Sequence, residues 1–286
     1  MPGALGVALE GAIQQWVCRG RGVRVDESPW LAGPIGGERI GADFYETYAR
    51  QHRLELQRDA PGAGLLVDFG LLAGPRFDPQ RVTADVQRFY ERTADYTLDV
   101  WSEWRGILRP FAHGLIALVS RDIEQFNLPL SPLDTSRGMT SEIIRLRDPR
   151  AGTVVYTGWL RRMSATDKVI YAGFYTTCVP PRAGGPCVKV VFPLPRGASI
   201  VILRPENLPD GSFRLISDGA GFGDAGYYRV HEVGPGELRV RYVPVKELIH
   251  VYRDARGMLR TDHLFRFWRI PFLALHYKIA RASPPS

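Results

Sequence analysis

At 286 residues, with 45 % apolar and 23 % charged side chains, the chain has the makeup of a globular protein with a sizeable core, which excludes an intrinsically disordered one. Its formal charge is +7, but of 37 basic residues only Lys168, Lys189, Lys246 and Lys278 are lysines, a bias that points to a GC-rich coding sequence before it points to function. The arginines are scattered among acids, in clusters no longer than Arg19-Gly-Arg21 or Arg161-Arg162, so the aromatic-lined basic stripe of a nucleic-acid binder is missing and nucleic acid is not an expected partner.

Residues 1–40 form an N-terminal extension in which Ala4 to Val17 place apolar side chains at helical spacing. No basic segment precedes those residues and Glu10 interrupts them, so neither a signal peptide nor an anchor is expected. The longest later apolar stretch, Phe111 to Ser120, is too short to span a bilayer, and the expectation is a cytoplasmic protein with no transmembrane segment. The glycines and proline of Trp30 to Gly41 break regularity before a single domain over 41–286.

The first part of that domain, 41–138, is read as helical. Phe44, Tyr48 and His52 stack at i, i+4 within a helix over Phe44–Leu56. A second helix begins at Asp78-Pro79, with Val82, Val86, Phe89, Tyr90 and Thr93 along one stripe. Tyr96 to Trp104 alternates as a strand, with Tyr96, Leu98 and Val100 opposite Asp99, Trp101 and Glu103. A long helix is predicted from Ile107 to Phe126, ending before Pro129.

From Met139 to about residue 280 the period is two. Eleven strands are predicted: Ser141–Arg147, Thr153–Arg162, Lys168–Cys178, Cys187–Leu194, Ser199–Leu203, Ser212–Ile216, Tyr227–Val233, Glu237–Val243, Glu247–Arg253, Met258–Trp268 and Phe272–Ile279. Turn residues separate them, as in Pro209-Asp-Gly, Gly234-Pro-Gly and Asp254-Ala-Arg-Gly, and no helical stretch intervenes, which excludes βαβ units. The fold class is therefore α+β: a helical layer, then a long antiparallel meander closed into a barrel or a strongly curved half-barrel to hide its edges. That design resembles calycin barrels and helix-grip domains in architecture alone.

Turn registers then assign faces. A hairpin tip at Gly234-Pro-Gly236 pairs Tyr228 with Tyr242 and Val230 with Val240 on an inner face, leaving His231 at the surface. A turn centred on Ala255-Arg256 sets Leu248, His250 and Tyr252 on one buried face with Leu259, Thr261, His263, Phe265 and Phe267. His250 then lies opposite Thr261 with His263 on the diagonal, a polar island that serves as an internal network or as the polar end of a ligand pocket. The spacing of thirteen between His250, His263 and His276 invites a three-histidine metal site, but Leu273, Leu275, Tyr277 and Ile279 claim the apolar face of the last strand and turn His276 outward with Lys278, so no metal is expected.

The glycine-dense segment Asp218–Gly226 lacks a following helix and a Gly-Lys-Ser/Thr, so it is a structural turn or a flap over a barrel mouth, with Asp224 at its edge. Arg137, in the loop Asn127–Gly138, is placed to meet an anionic group. No Gly-x-Ser-x-Gly elbow occurs and no cofactor is implied. Cys178 and Cys187 flank a Pro/Gly-rich loop, with reduced thiols the expected state.

Three functions are compatible with these residues. One is binding of a lipophilic molecule (a lipid, polyketide or terpenoid) in the barrel against Tyr228, Tyr242, Thr261, Phe265 and Phe267. Another is a cofactor-independent isomerase or cyclase with His250 or His263 as base and Tyr252 as donor. The third is an interaction protein with a basic surface; homo-oligomerisation is left open.

Overall fold

The computed structural model describes residues 12–13, 15–37, 43–58, 60–105, 139–163 and 169–282. The predicted helix over 107–126 and the loop carrying Arg137 lie outside these residues, as does most of the predicted N-terminal helix, of which 12–13 and 15–18 are helical.

Strand β1 (Arg21–Arg24) precedes helix α1 (Phe44–His52), which ends where Arg53 turns left-handed at φ 56°. Strand β2 (Glu55–Gln57) follows, then α2 (Ala84–Glu91). This second helix starts later than predicted. Asp78 caps only a single turn at Pro79–Arg81 through Gln80 N–H, and extended backbone at Val82 interrupts the coil before Thr83. Strand β3 (Tyr96–Trp104) completes the first part.

The remainder is antiparallel throughout: β4 (Met139–Asp148), β5 (Thr153–Met163), β6 (Val169–Cys178), β7 (Cys187–Leu194), β8 (Gly197–Asn207), β9 (Phe213–Ile216), β10 (Tyr227–Gly234), β11 (Glu237–Val243), β12 (Val245–Arg253), β13 (Leu259–Phe267) and β14 (Ile270–Arg281). All eleven predicted strands are present, because alternation and turn residues are local signals.

The meander does not close into a barrel. Strand order runs β2-β4-β5-β6-β7-β8-β9-β12-β13-β14-β3, and among the described residues β2 and β3 end this path while β1 ends a branch from it. The sheet forks at β8, whose residues Gly197–Val201 pair with β10 while Arg204–Asn207 pair with β9. One branch runs through β10 and β11 to β1; the other runs through β9 and β12–β14 to β3. A strand shared in this way turns a corner between two sheets, and the corner does the work that barrel closure was expected to do.

Two cores result. Trp159, Val190, Val201, Phe213, Val251 and Ile279 pack with Leu65, Phe69, Phe77, Val86 and Phe89, so residues 60–90 cover this face of the strands. On the opposite face of the first sheet, Ile144, Leu160, Phe174, Val191, Ile200 and Tyr228 pack against α1 and Trp30-Leu31. Tyr45 of α1 is fully buried and donates to Gly173 O at 3.0 Å. It lies on bare backbone at Gly158, where a Cβ would stand 2.4 Å from the Tyr45 ring. Each such buried aromatic side chain contributes roughly 1.5–3 kcal/mol through its apolar area, which is what holds a nine-residue helix too short to persist alone. Cys178 and Cys187 face each other across β6–β7 as free thiols, with burial pushing them up to about 11 and about 12.

Candidate functional site

The β12–β13 hairpin is one residue out of the predicted register. Asp254 N–H donates to Met258 O at 2.9 Å, and Gly257 adopts φ 75°, so the connection is a three-residue loop, Ala255–Gly257, rather than a two-residue turn. The Asp254 carboxylate accepts from Arg256 and Met258 N–H and from Arg260 Nε, which fixes that loop. A slip of one residue exchanges the faces of a strand. His250 therefore pairs with Asp262 and not with Thr261, while His263 pairs with Ile249. His250 and Tyr252 lie on the outer face and His263 and Thr261 on the inner one. The proposed His250/His263/Tyr252 acid–base group is not assembled.

On the inner face the slip brings Glu247 in instead. Glu247 and Thr261 are both buried, and His263 Nε2 stands 2.9 Å from Glu247 Oε2. Arg161 is buried with its guanidinium 5.6 Å from the Tyr277 ring centroid and 5.4 Å from that of Trp159. Burial raises the phenols of Tyr227 and Tyr277, opposed in the first case by Arg229 and in the second by Arg161. This is an interior polar cluster between the two sheets, in which Glu247 and His263 supply each other's partner.

On the outer face, His250 Nε2 lies 2.9 Å from Ser212 Oγ, and Ser212 Oγ donates to Asp210 Oδ1 at 2.6 Å. The hydroxyl proton points at a carboxylate rather than at the imidazole, so this Ser-His pair is not poised for nucleophilic attack. Burial lowers the His250 pKa against the opposing pull of Asp210 and Asp262, and the Tyr252 ring stacks on the imidazole at 4.8 Å. One strand over, His276 Nδ1 is 2.6 Å from Asp262. The three histidines spaced by thirteen are thus split between two faces.

The remaining predicted contacts are structural. Tyr228 does pair with Tyr242 and Val230 with Val240, but the two phenols hold the glycine-dense loop: Tyr228 donates to Gly221 O and Asp224 O, and Tyr242 to Gly219 O. Asp224 accepts from the N–H groups of Ala220 and Gly221 and pairs with Arg182 at 3.1 Å. These contacts brace the segment as a turn. Phe265 packs on the His263 ring and on Phe272, whereas Phe267 is exposed. His231, expected at the surface, is buried, and burial together with Arg196 and Arg229 lowers its pKa.

A cavity of about 770 Å³ lies elsewhere, between α1, the segment Leu31–Gly37 and the β10–β11 hairpin. Its lining combines Leu31, Phe44, Tyr48, Tyr156 and Leu238 with the polar residues Asp43, Thr47, Gln51, His52 and Glu232. The sequence stripe Phe44–Tyr48–His52 is the origin of one wall, with ring centroids 6.1 and 4.2 Å apart. Burial and the neighbouring hydroxyl of Tyr156 hold the Tyr48 phenol protonated. The opposite wall is pinned: Gly36 N–H donates to Gly197 O, Arg196 N–H to Gly36 O, and buried Lys189 to Ala32 O at 2.7 Å. Burial lowers the Lys189 pKa. Among the described residues, none of those singled out from the sequence as ligand contacts lines this cavity; Arg137 lies outside them. The stripe on α1 is visible in the sequence, but the cavity also draws Tyr156, Glu232, Gly236 and Leu238 from distant positions.

No protein-family model matches the chain, and no solved structure matches it. The chain is similar to a protein of Bacillus subtilis (strain 168) named "Uncharacterized membrane protein YndJ", with 26 % identity over 287 residues. The match takes in 99 % of this chain and 49 % of that protein, so the chain spans about half the length of the relative. The relative's name runs against the cytoplasmic expectation and overturns it; among the described residues no helix is long and apolar enough to cross a membrane.

Proposed function

We propose that the chain is a β-rich part of a membrane-associated protein and that it binds a lipophilic small molecule with a polar head group. The observation that carries this is the 770 Å³ cavity, large enough for a lipid- or terpenoid-sized guest and walled by Phe44, Tyr48, Tyr156 and Leu238. The inner face of the strands, where the alternation pattern led such a guest to be expected, is covered by residues 60–90. The carboxylates of Asp43 and Glu232 with His52 favour a head group that is cationic or rich in hydroxyls. Membrane association enters from the naming of the relative.

The test is titration of the 286-residue chain with a dansyl-labelled alkylamine, with Gly37→Trp as the blocking variant. Gly37 lines the cavity and has nothing within 4 Å of where its Cβ would be, so the indole can occupy the space without displacing core atoms. Probe fluorescence is expected to rise on the wild type, to be lost in Gly37→Trp, and to weaken in Asp43→Asn/Glu232→Gln. Equal binding by wild type and Gly37→Trp, at unchanged thermal midpoints, would rule the cavity out.

A further inference from the structure

We infer that the tip of the β13–β14 hairpin, Arg266–Phe272, is a surface that docks on an anionic lipid bilayer. The stretch reads Arg-Phe-Trp-Arg-Ile-Pro-Phe: four large apolar residues, two arginines and no acid. Phe267, Trp268 and Ile270 are 37, 64 and 44 % exposed, the densest run of exposed large apolar side chains among the described residues. Isolated exposed apolar residues are ordinary; three within four positions on one hairpin turn are not.

The backbone shows that this exposure is held in place. Phe267 pairs with Ile270, so Trp268 and Arg269 form a two-residue turn, and Trp268 sits at φ 53°. That left-handed position normally takes glycine or asparagine, and a bulky residue there is a strained choice that the surrounding structure must enforce. Trp268 N–H donates to Pro244 O at 2.8 Å and fixes the turn in this shape. The strain presents an indole to the outside rather than to a core.

Charge selects the occupant. Arg266 and Arg269 form no ion pair among the described residues, and Lys246 stands opposite Arg266 in the ladder. An aromatic tip flanked by unpaired arginines matches the headgroup zone, where indoles settle and basic side chains meet anionic lipids. Pro271, lacking an N–H, and the irregularity between Phe265 and Arg266 make the tip a poor template for strand addition.

The inference rests on the membrane association proposed above but not on the cavity, and the two are separable. The experiment is co-sedimentation of the 286-residue chain with phosphatidylcholine vesicles containing about one-third phosphatidylserine, against pure phosphatidylcholine, at low and high salt. The wild type is expected to bind the anionic vesicles, more weakly in high salt. Phe267→Ser/Trp268→Asn/Ile270→Thr is expected to lose at least about tenfold in affinity, and Arg266→Gln/Arg269→Gln about fivefold per arginine. Trp268→Asn suits the left-handed turn, so circular dichroism should show an intact fold. Gly37→Trp should sediment like the wild type, which keeps failure of the cavity distinct. Unchanged sedimentation of the triple variant, no binding by the wild type, or a wild-type dimer that the triple variant dissolves would each overturn the inference; the last would make the tip a contact between copies of this chain.

Discussion

Glu247 of β12 and His263 of β13 meet at 2.9 Å on the inner face of the sheet, with side chains 9 and 16 % exposed. They are sixteen positions apart and not directly opposite, since Glu247 pairs with Phe265. Removing one partner of a pair this buried leaves the other with polar atoms that water cannot reach. His263→Leu is therefore expected to lower stability by about 2–3 kcal/mol, Glu247→Leu by a similar amount, and the double variant by less than the sum. Urea unfolding of the four proteins measures this cycle. Additive losses would mean that the two side chains do not depend on each other.

Two histidines make stability depend on pH in a direction that can be worked out. His231 and His250 both have pKa values below the ordinary one, chiefly through burial. The unfolded chain then binds protons at a higher pH than the native one, so their contribution is fully present above about pH 6.5 and is lost as pH falls toward the lower native values. Below about pH 6.5 the unfolding midpoint should drop, and His231→Gln and His250→Gln should each fall less steeply than the wild type. Parallel curves for wild type and both variants would contradict the assignment.

At Gly158 the fold has no room for a side chain. A Cβ there would stand 2.4 Å from Cε1 of Tyr45, which is itself fully buried. Gly158→Ala is expected to push α1 off the sheet and lower stability by about 1–3 kcal/mol. Because Phe44 and Tyr48 ride on the same helix, binding of the dansyl probe should weaken with it. A thermal midpoint within error of the wild type would show that the helix is not seated as described.

The loop at residues 254–258 sets which face each β12 side chain occupies. Gly257→Ala places a Cβ at φ 75° and should cost about 1 kcal/mol; Asp254→Ala removes an acceptor for two backbone N–H groups and should cost about the same. Cross-strand contacts between the amide groups of Ile249 and His263, read by nuclear magnetic resonance, report the register directly. Contacts between Thr261 and His250 as direct partners would restore the two-residue turn and invert the site.

Much of the fold is written locally. Alternation of apolar and polar residues, with proline, glycine and aspartate at the breaks, determines eleven strands and their antiparallel succession, because each depends only on neighbours in the chain. The faces of β10 and β11 follow likewise, since one of them is plainly apolar. β12 shows no such contrast: Leu248, His250 and Tyr252 make as plausible an inner face as Glu247, Ile249 and Val251, and the extra residue at Gly257 decides between them. Tertiary structure alone settled the rest. The fork at β8 exists because one long strand serves two partners at different ends, and the cavity exists because α1, Leu31–Gly37 and the β10–β11 hairpin converge. Neither leaves a periodicity in the sequence, since contacts between distant segments impose no spacing along the chain.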